Sequence, residues 1–174
     1  MMNLIVTCSR HLEGDAEDEI IDILDELGDS DVKISVSSMS GIITVETKLD
    51  PIEVVGKMKE MVLEEPWSIR YCLRVIPIQK IVETSIEEIE KIISSMSDQI
   101  EEKESYRILI EKRNSDISSK EIITKIANKI KNKVSLDFPD KIILIEVLGI
   151  VTGISILKKS DILSLEKTKR SMSD

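Results

Sequence analysis

The chain has 174 residues, 33 acidic against 24 basic, a formal net charge of −9 and 41% hydrophobic residues. That length allows one domain or two small ones, the apolar content excludes a disordered chain, and no apolar run approaches the roughly 18–20 residues of a membrane span. Two cysteines, Cys8 and Cys72, exclude a disulfide framework or a zinc knuckle and fit a reducing, cytoplasmic setting, while a single histidine, His11, removes most metal and His-based nucleophile schemes.

The start, Met1-Met2-Asn3-Leu4-Ile5-Val6, lacks the basic flank and long apolar run of a signal peptide. Residues 4–8 are a short apolar run that predicts a buried strand. Gly14-Asp15 then opens a helical pattern with Ile20, Ile23, Leu24 and Leu27 on one face and Gly28 as its C-terminal cap. Residues 32–38 and 41–46 alternate about Ser40-Gly41 and predict a hairpin. Asp50-Pro51-Ile52-Glu53 is a helix start, in which Asp50 caps, Pro51 suits the first turn and Glu53 closes a capping box. Ile52, Val55, Met58 and Val62 form its apolar face, and Glu65-Pro66 stops it. Residues 69–78 predict one more strand. The order β-α-β-β-α-β over residues 3–79 is the ferredoxin-like pattern, whose right-handed crossovers put both helices on one face of an antiparallel sheet.

Ser85-Ile-Glu-Glu88 is a second capping box, followed by Ile86, Ile89, Ile93, Met96 and Ile100 at helical spacing. Residues 106–112 alternate as a strand, Ser118-Ser-Lys-Glu121 caps a helix carrying Ile122, Ile123, Ile126 and Ile130, and residues 141–147 and 151–157 are strands about Gly149. A strand, a helix and a strand over 105–147 imply a parallel pair, extended by a hairpin. The expected organisation is α+β: a ferredoxin-like βαββαβ domain over 1–80, a second domain over 81–159 (a helix, then βαββ with a parallel strand pair), and a fraying tail over 160–174 in which Ile162, Leu163 and Leu165 permit a short turn of helix.

Charge is uneven along the chain. Residues 1–80 carry −8, residues 81–102 carry −6, and residues 103–159 carry +5. An acidic protein with one basic module suggests a polyanion partner on that module. Lys125, Lys129 and Lys133 fall at four-residue intervals opposite much of the isoleucine face, and Lys112-Arg113 ends the strand before that helix. Backbone amides at Ser118, Ser119 and Lys120 offer an anion site at the helix start. The alternative is that these lysines simply solvate the helix.

The second unit resembles a THUMP domain, an RNA-binding module of tRNA-modification proteins. The likeness rests on Ser105-Tyr-Arg-Ile-Leu-Ile-Glu-Lys-Arg113, the capped helix from Ser118, Val134-Ser-Leu-Asp-Phe-Pro-Asp140, residues 142–146 and Gly153-Ile-Ser-Ile156. Leu4-Ile-Val-Thr-Cys-Ser-Arg10 with Glu13, Gly41-Ile-Ile-Thr-Val-Glu-Thr47, Asp50-Pro51, Ile69-Arg70 and Arg74-Val-Ile-Pro77 are similar to the THUMP-domain adaptors that assist tRNA cytidine acetylation, in a minimal, archaeal form. That resemblance implies a non-catalytic tRNA-binding protein with no cofactor or metal of its own. A separate RNA cytidine acetyltransferase would supply the chemistry from acetyl-CoA. The sequence shows no Gly-x-Gly-x-x-Gly, Walker loop or Cys-x-x-Cys, and the 16 positions after residue 158 leave no room for a catalytic domain.

The expected RNA-binding residues are Arg107, Lys112 and Arg113 first, then Ser118, Ser119, Lys120, Lys125, Lys129, Lys133 and Lys158, with Arg10, Arg70 and Arg74 in the first unit. Arg10 and His11 are phosphate- and base-contacting residues or plain loop residues. Arg70 and Arg74 share a predicted strand face and either bind RNA or neutralise nearby carboxylates. Tyr106 is a base-stacking or a core residue, and Asp137 and Asp140 read as turn caps. The alternatives in function are a THUMP subunit for another tRNA-modification enzyme and a protein–protein assembly module without RNA.

Overall fold

The computed structural model describes residues 1–172. The chain divides into two compact units, Met1–Ile78 with the segment that begins at Ser160, and Gln79–Lys159.

The first unit runs β1 (Leu4–Thr7), α1 (Glu13–Leu27), β2 (Lys33–Val36), β3 (Ile42–Glu46), α2 (Pro51–Glu64) and β4 (Arg74–Pro77). Its sheet has the order β2-β3-β1-β4, antiparallel throughout, as the ferredoxin-like pattern requires. Leu4 and Val6 of β1 share a face with Val45, Ile43 and Val75 across the register. That face packs on Ala16, Ile20, Ile23 and Leu24 of α1 and Val54, Val55, Met58 and Val62 of α2. Asp50 accepts a hydrogen bond from the Ile52 amide at 2.9 Å, so the predicted cap forms. Gly28 ends α1 in the left-handed region at φ +117°. Gly41 is more tightly specified: its φ is +76°, and a Cβ there would lie 2.6 Å from the Cys8 carbonyl oxygen.

Two expectations need correction here. Residues 69–78 are not one strand, because only Arg74–Pro77 pairs as β4. Residues 70–72 instead wrap the Glu19 carboxylate, which accepts the backbone amides of Arg70, Tyr71 and Cys72 at 2.9 Å each. Arg70 and Arg74 therefore do not share a strand face. The segment after 160 is not a fraying tail either. Its β9 (Leu163–Ser164) pairs antiparallel with β4, and α5 (Leu165–Ser171) follows with Ser164 capping the Lys167 amide. Leu163 is fully buried and Leu165 nearly so, in the core of the first unit. Ser173 and Asp174 lie outside the described residues.

The second unit runs β5 (Lys80–Glu83), α3 (Ile86–Met96), a 3-10 turn (Ser97–Gln99), β6 (Tyr106–Arg113), α4 (Ser119–Lys129), β7 (Lys141–Leu148) and β8 (Val151–Leu157). The sheet order is β5-β8-β7-β6, with β6 and β7 parallel and the other pairs antiparallel. Ile89, Ile93, Ile122 and Ile126 of the helices pack on Ile143, Ile145, Ile154 and Ile156 of the sheet. Ser85 and Ser118 accept hydrogen bonds from the Glu88 and Glu121 amides, so both predicted caps form. Tyr106 is 1% exposed, and its hydroxyl donates to the Ile130 carbonyl at 3.1 Å. It is a core residue, which removes the base-stacking reading. Edge strand β5 was not anticipated.

Candidate nucleic-acid interface

Along β6, alternation sends Tyr106, Ile108 and Ile110 toward the helices and Arg107 and Arg113 to the opposite face. Six residues at about 3.3 Å each separate the two arginines by roughly 20 Å. They cannot grip one phosphate together. Arg113 Nη1 lies 3.4 Å from Glu146 Oε2, a carboxylate 1% exposed in β7. A charge buried in a sheet needs a counter-ion, so Arg113 is largely occupied inside the fold.

The end of β6 and the start of α4 form a compact polar corner. Asn114 turns the chain in the left-handed region at φ +55°. Ser115 accepts the Ile117 amide at 3.2 Å, and Lys112 Nζ donates to the Ile117 carbonyl at 2.8 Å. The Lys112 ammonium is thereby fixed one residue from the Ser118 cap. The Ser118 hydroxyl takes the Glu121 amide, leaving the Ser119 and Lys120 amides in the first turn, where the helix dipole is positive. Lys112 and Lys120 are both exposed.

Lys125 and Lys129 line the outer face of α4, 47% and 57% exposed, but both reach Glu90 of α3, at 3.9 and 3.5 Å. Lys133 is exposed beyond the helix, and its carbonyl accepts the Tyr106 amide at 3.0 Å. Arg107 Nη1 donates to the Leu136 carbonyl at 3.0 Å, at the same end of β6 as Lys133. Lys158 is exposed just after β8. The expected RNA-binding residues of this unit thus fall into the β6–α4 corner, the α4 row and the Arg107–Lys133 end, with Lys158 apart from all three. The unit as a whole is neutral, with 14 basic and 14 acidic side chains, and the net −9 belongs to the first unit.

In the first unit, Arg10 is exposed on the turn after β1, beside His11 in the left-handed region at φ +73°. Arg70 is exposed and Arg74 is half-buried at the start of β4. Cys8 and Cys72 are free thiols. Burial raises both above the ordinary thiol range, with Glu13 adding to Cys8 and Glu19 to Cys72, so both stay protonated at neutral pH. Among the described residues, no three His, Cys, Asp or Glu side chains are placed to share a metal ion, and no helix is long and apolar enough to cross a membrane.

Sequence reasoning missed three features. Glu90 as the partner of the lysine row is invisible because it lies on another helix. Glu19 as a cradle is equally non-local. The third is a run of exposed apolar residues, Val134 at 52%, Leu136 at 65% and Phe138 at 88%; its alternation is plain in the sequence, but its exposure is not. Asp140 does act as a turn cap: its carboxylate accepts the Ser105 amide and hydroxyl at 2.8 and 3.1 Å, which hold it below the usual carboxylate range.

Residues 83–157 match the family model of the THUMP domain, so the second unit is a THUMP domain. No curated protein is similar enough in sequence to count as a match. Among solved structures, PH1313 from Pyrococcus horikoshii aligns with 91% of this chain and 55% of its own, at 22% identity and a TM-score of 0.62. TrmN from Thermus thermophilus aligns with 90% of this chain and 45% of its own, at 14% identity and a TM-score of 0.60. A 4-thiouridine synthetase in complex with RNA and ATP aligns with 90% of this chain and 41% of its own, at 11% identity and a TM-score of 0.52. These identities establish a shared fold, and this chain spans about half the length of those proteins.

Proposed function

We propose that this chain, built from a ferredoxin-like unit and a THUMP domain, is a non-catalytic, cytoplasmic adaptor that binds tRNA and presents it to a separate RNA cytidine acetyltransferase for N4-acetylcytidine formation. The observation that carries the reading is the β6–α4 corner, where Lys112 is tied beside the capped start of α4 and the exposed Lys120 and the first-turn amides follow, on one unit that matches an RNA-binding module. A phosphate placed there meets two ammonium groups and the positive end of a helix. Arg107 and Lys133 supply cations at the other end of β6, which suits a partner recognised by backbone shape rather than by base sequence. Arg113, held by Glu146, and the half-buried Arg74 are secondary, and the exposed Arg10, Arg70 and Lys158 lie apart from both clusters.

Among the described residues both thiols are buried and protonated, and the imidazole of His11 sits on an exposed turn, which supports the non-catalytic reading. The acids Asp15, Asp18, Asp22 and Glu26 along α1 suit a positively charged enzyme. With Arg107, Lys112, Lys120 and Lys133 on phosphates, log affinity for tRNA falls with log salt at a slope of about −3. A slope near zero in a filter-binding titration removes the reading. Nucleoside mass spectrometry of a deletion strain tests the enzyme partner: acetylated cytidine disappears while other modifications persist. A second reading, a subunit serving a different tRNA-modification enzyme, is favoured by the RNA-bound 4-thiouridine synthetase that shares this fold. Loss of a different nucleoside in the same strain selects it.

A further inference from the structure

Single exposed hydrophobic side chains are ordinary, but here three alternate along one segment, Val134, Leu136 and Phe138, and the chain displays its one phenylalanine almost completely. Phe138 is 88% exposed, more than any other large hydrophobic side chain among the described residues. It sits on a loop that is held at many points. Lys133 and Ser135 flank an isolated parallel bridge between Val134 and Tyr106, with the Ser135 amide donating to the Tyr106 carbonyl at 2.9 Å. Arg107 donates to the Leu136 carbonyl at 3.0 Å, and the Ser135 hydroxyl accepts the Phe138 amide at 3.3 Å. Pro139 fixes its own φ, and Asp140 ties the far end to Ser105 through both its amide and its carboxylate. The conformational entropy of presenting the ring is therefore already spent in the free protein.

The surroundings of the ring decide what it presents to. Lys131 and Lys133 are exposed and make no ion pair among the described residues, and the Arg107 guanidinium is fixed beneath the loop. Asp140 is occupied by Ser105, leaving Asp137 as the acid displayed on the loop itself. An exposed aromatic face and unpaired ammonium groups carried within one short tethered segment, residues 131–138, are the combination that takes an unstacked base and its phosphate together. We infer that Phe138 is a stacking platform for an unpaired RNA nucleotide whose phosphate lies toward Lys133. This rests on the RNA-binding reading and adds a residue to it. The β6–α4 corner holds duplex backbone, and Phe138 discriminates in favour of RNA with an unpaired base.

The test uses the full chain, an RNA hairpin with a single-stranded tail carrying 2-aminopurine, and the same hairpin blunt. Wild-type protein is expected to bind the tailed hairpin more tightly and to quench the fluorophore. Phe138→Ala weakens binding to the tailed hairpin about 10- to 100-fold, abolishes the quench, and leaves blunt binding within about twofold. Phe138→Tyr restores both readouts, whereas Phe138→Leu, apolar but without a ring, restores neither. Because the side chain is exposed, all three variants keep the wild-type melting temperature. Equal loss on both RNAs, full binding by Phe138→Leu, or no effect of Phe138→Ala on tailed RNA overturns the inference; the last marks the apolar run as a protein contact. If wild-type protein binds neither hairpin, the RNA-binding reading itself fails, and Phe138 falls with it.

Discussion

Glu90 holds two lysines that the lysine row needs to meet phosphate, so replacing it with glutamine should make the protein a better RNA binder. The amide removes the charge that draws Lys125 and Lys129 to α3 across 3.9 and 3.5 Å while keeping a similar shape. Both lysines are about half exposed, so each ion pair is worth only about 0–1 kcal/mol, and the melting temperature should move by no more than a few degrees. The effect on RNA is larger. Two released cations steepen the salt slope by about 1.5, which at 0.1 M salt is an affinity gain of at most about 30-fold over a state in which neither lysine contributes. Since the paired lysines already contribute part of this, an observed gain of about 3- to 10-fold is expected. Fluorescence anisotropy with tRNA across a salt series reads both affinity and slope. Lys125→Gln with Lys129→Gln should do the opposite, flattening the slope. If Glu90→Gln leaves affinity and slope unchanged, or weakens binding, the α4 row does not face phosphate and its lysines serve only to solvate the helix.

Charge reversal at the corner, Lys112→Glu with Lys120→Glu, should weaken tRNA retention on filters by at least about 10-fold while leaving thermal stability nearly unchanged, since both side chains are exposed. Arg113→Ala should behave in the reverse manner, lowering stability by about 1–3 kcal/mol in urea because Glu146 remains buried beside the lost guanidinium, with Glu146→Gln recovering part of the loss. Asp29 is buried and accepts the Thr47 hydroxyl at 2.6 Å, the Lys48 amide at 2.9 Å and the Asp31 amide at 3.0 Å, the first of these being the main cause of its lowered pKa. Its contribution is present above the unfolded aspartate pKa near about 3.9 and is lost as pH falls through the lower folded value. Asp29→Asn should therefore cost about 1–3 kcal/mol at pH 7, and the gap to wild type in denaturant melts should narrow below about pH 4. Leu163→Ala should destabilise by about 2–4 kcal/mol by calorimetry, a loss too large for a frayed terminus.

Features written in adjacent residues were legible. The caps at Asp50, Ser85 and Ser118 follow from a side chain and an amide two or three positions apart, and the parallel β6–β7 pair follows from the helix between them. Gly41 was placed in a turn, although the reason it must be glycine, the Cys8 carbonyl, is distant in sequence. What was not legible is long-range. Glu19 captures amides 51 to 53 residues away and so breaks the apparent strand at 69–78 into a cradle and a short β4. β9 is too short to carry a period of its own. At the candidate site the identity of the cations was readable, but their partners were not: Glu90 and Glu146 divide the basic residues into engaged and available sets that no spacing could separate.

The first unit is discontinuous, since its sheet draws β9 from beyond Lys159 while the whole THUMP domain lies between. On a ribosome, the edge strand that covers β4 emerges only after the THUMP domain has been synthesised. The inserted domain can complete its own hydrogen-bonded sheet first, whereas the enclosing one must wait with Leu73 and Arg74 unpaired on that side. Nonsense or frameshift changes between residues 160 and 164, which remove β9, should accordingly damage the part of the protein that was translated first.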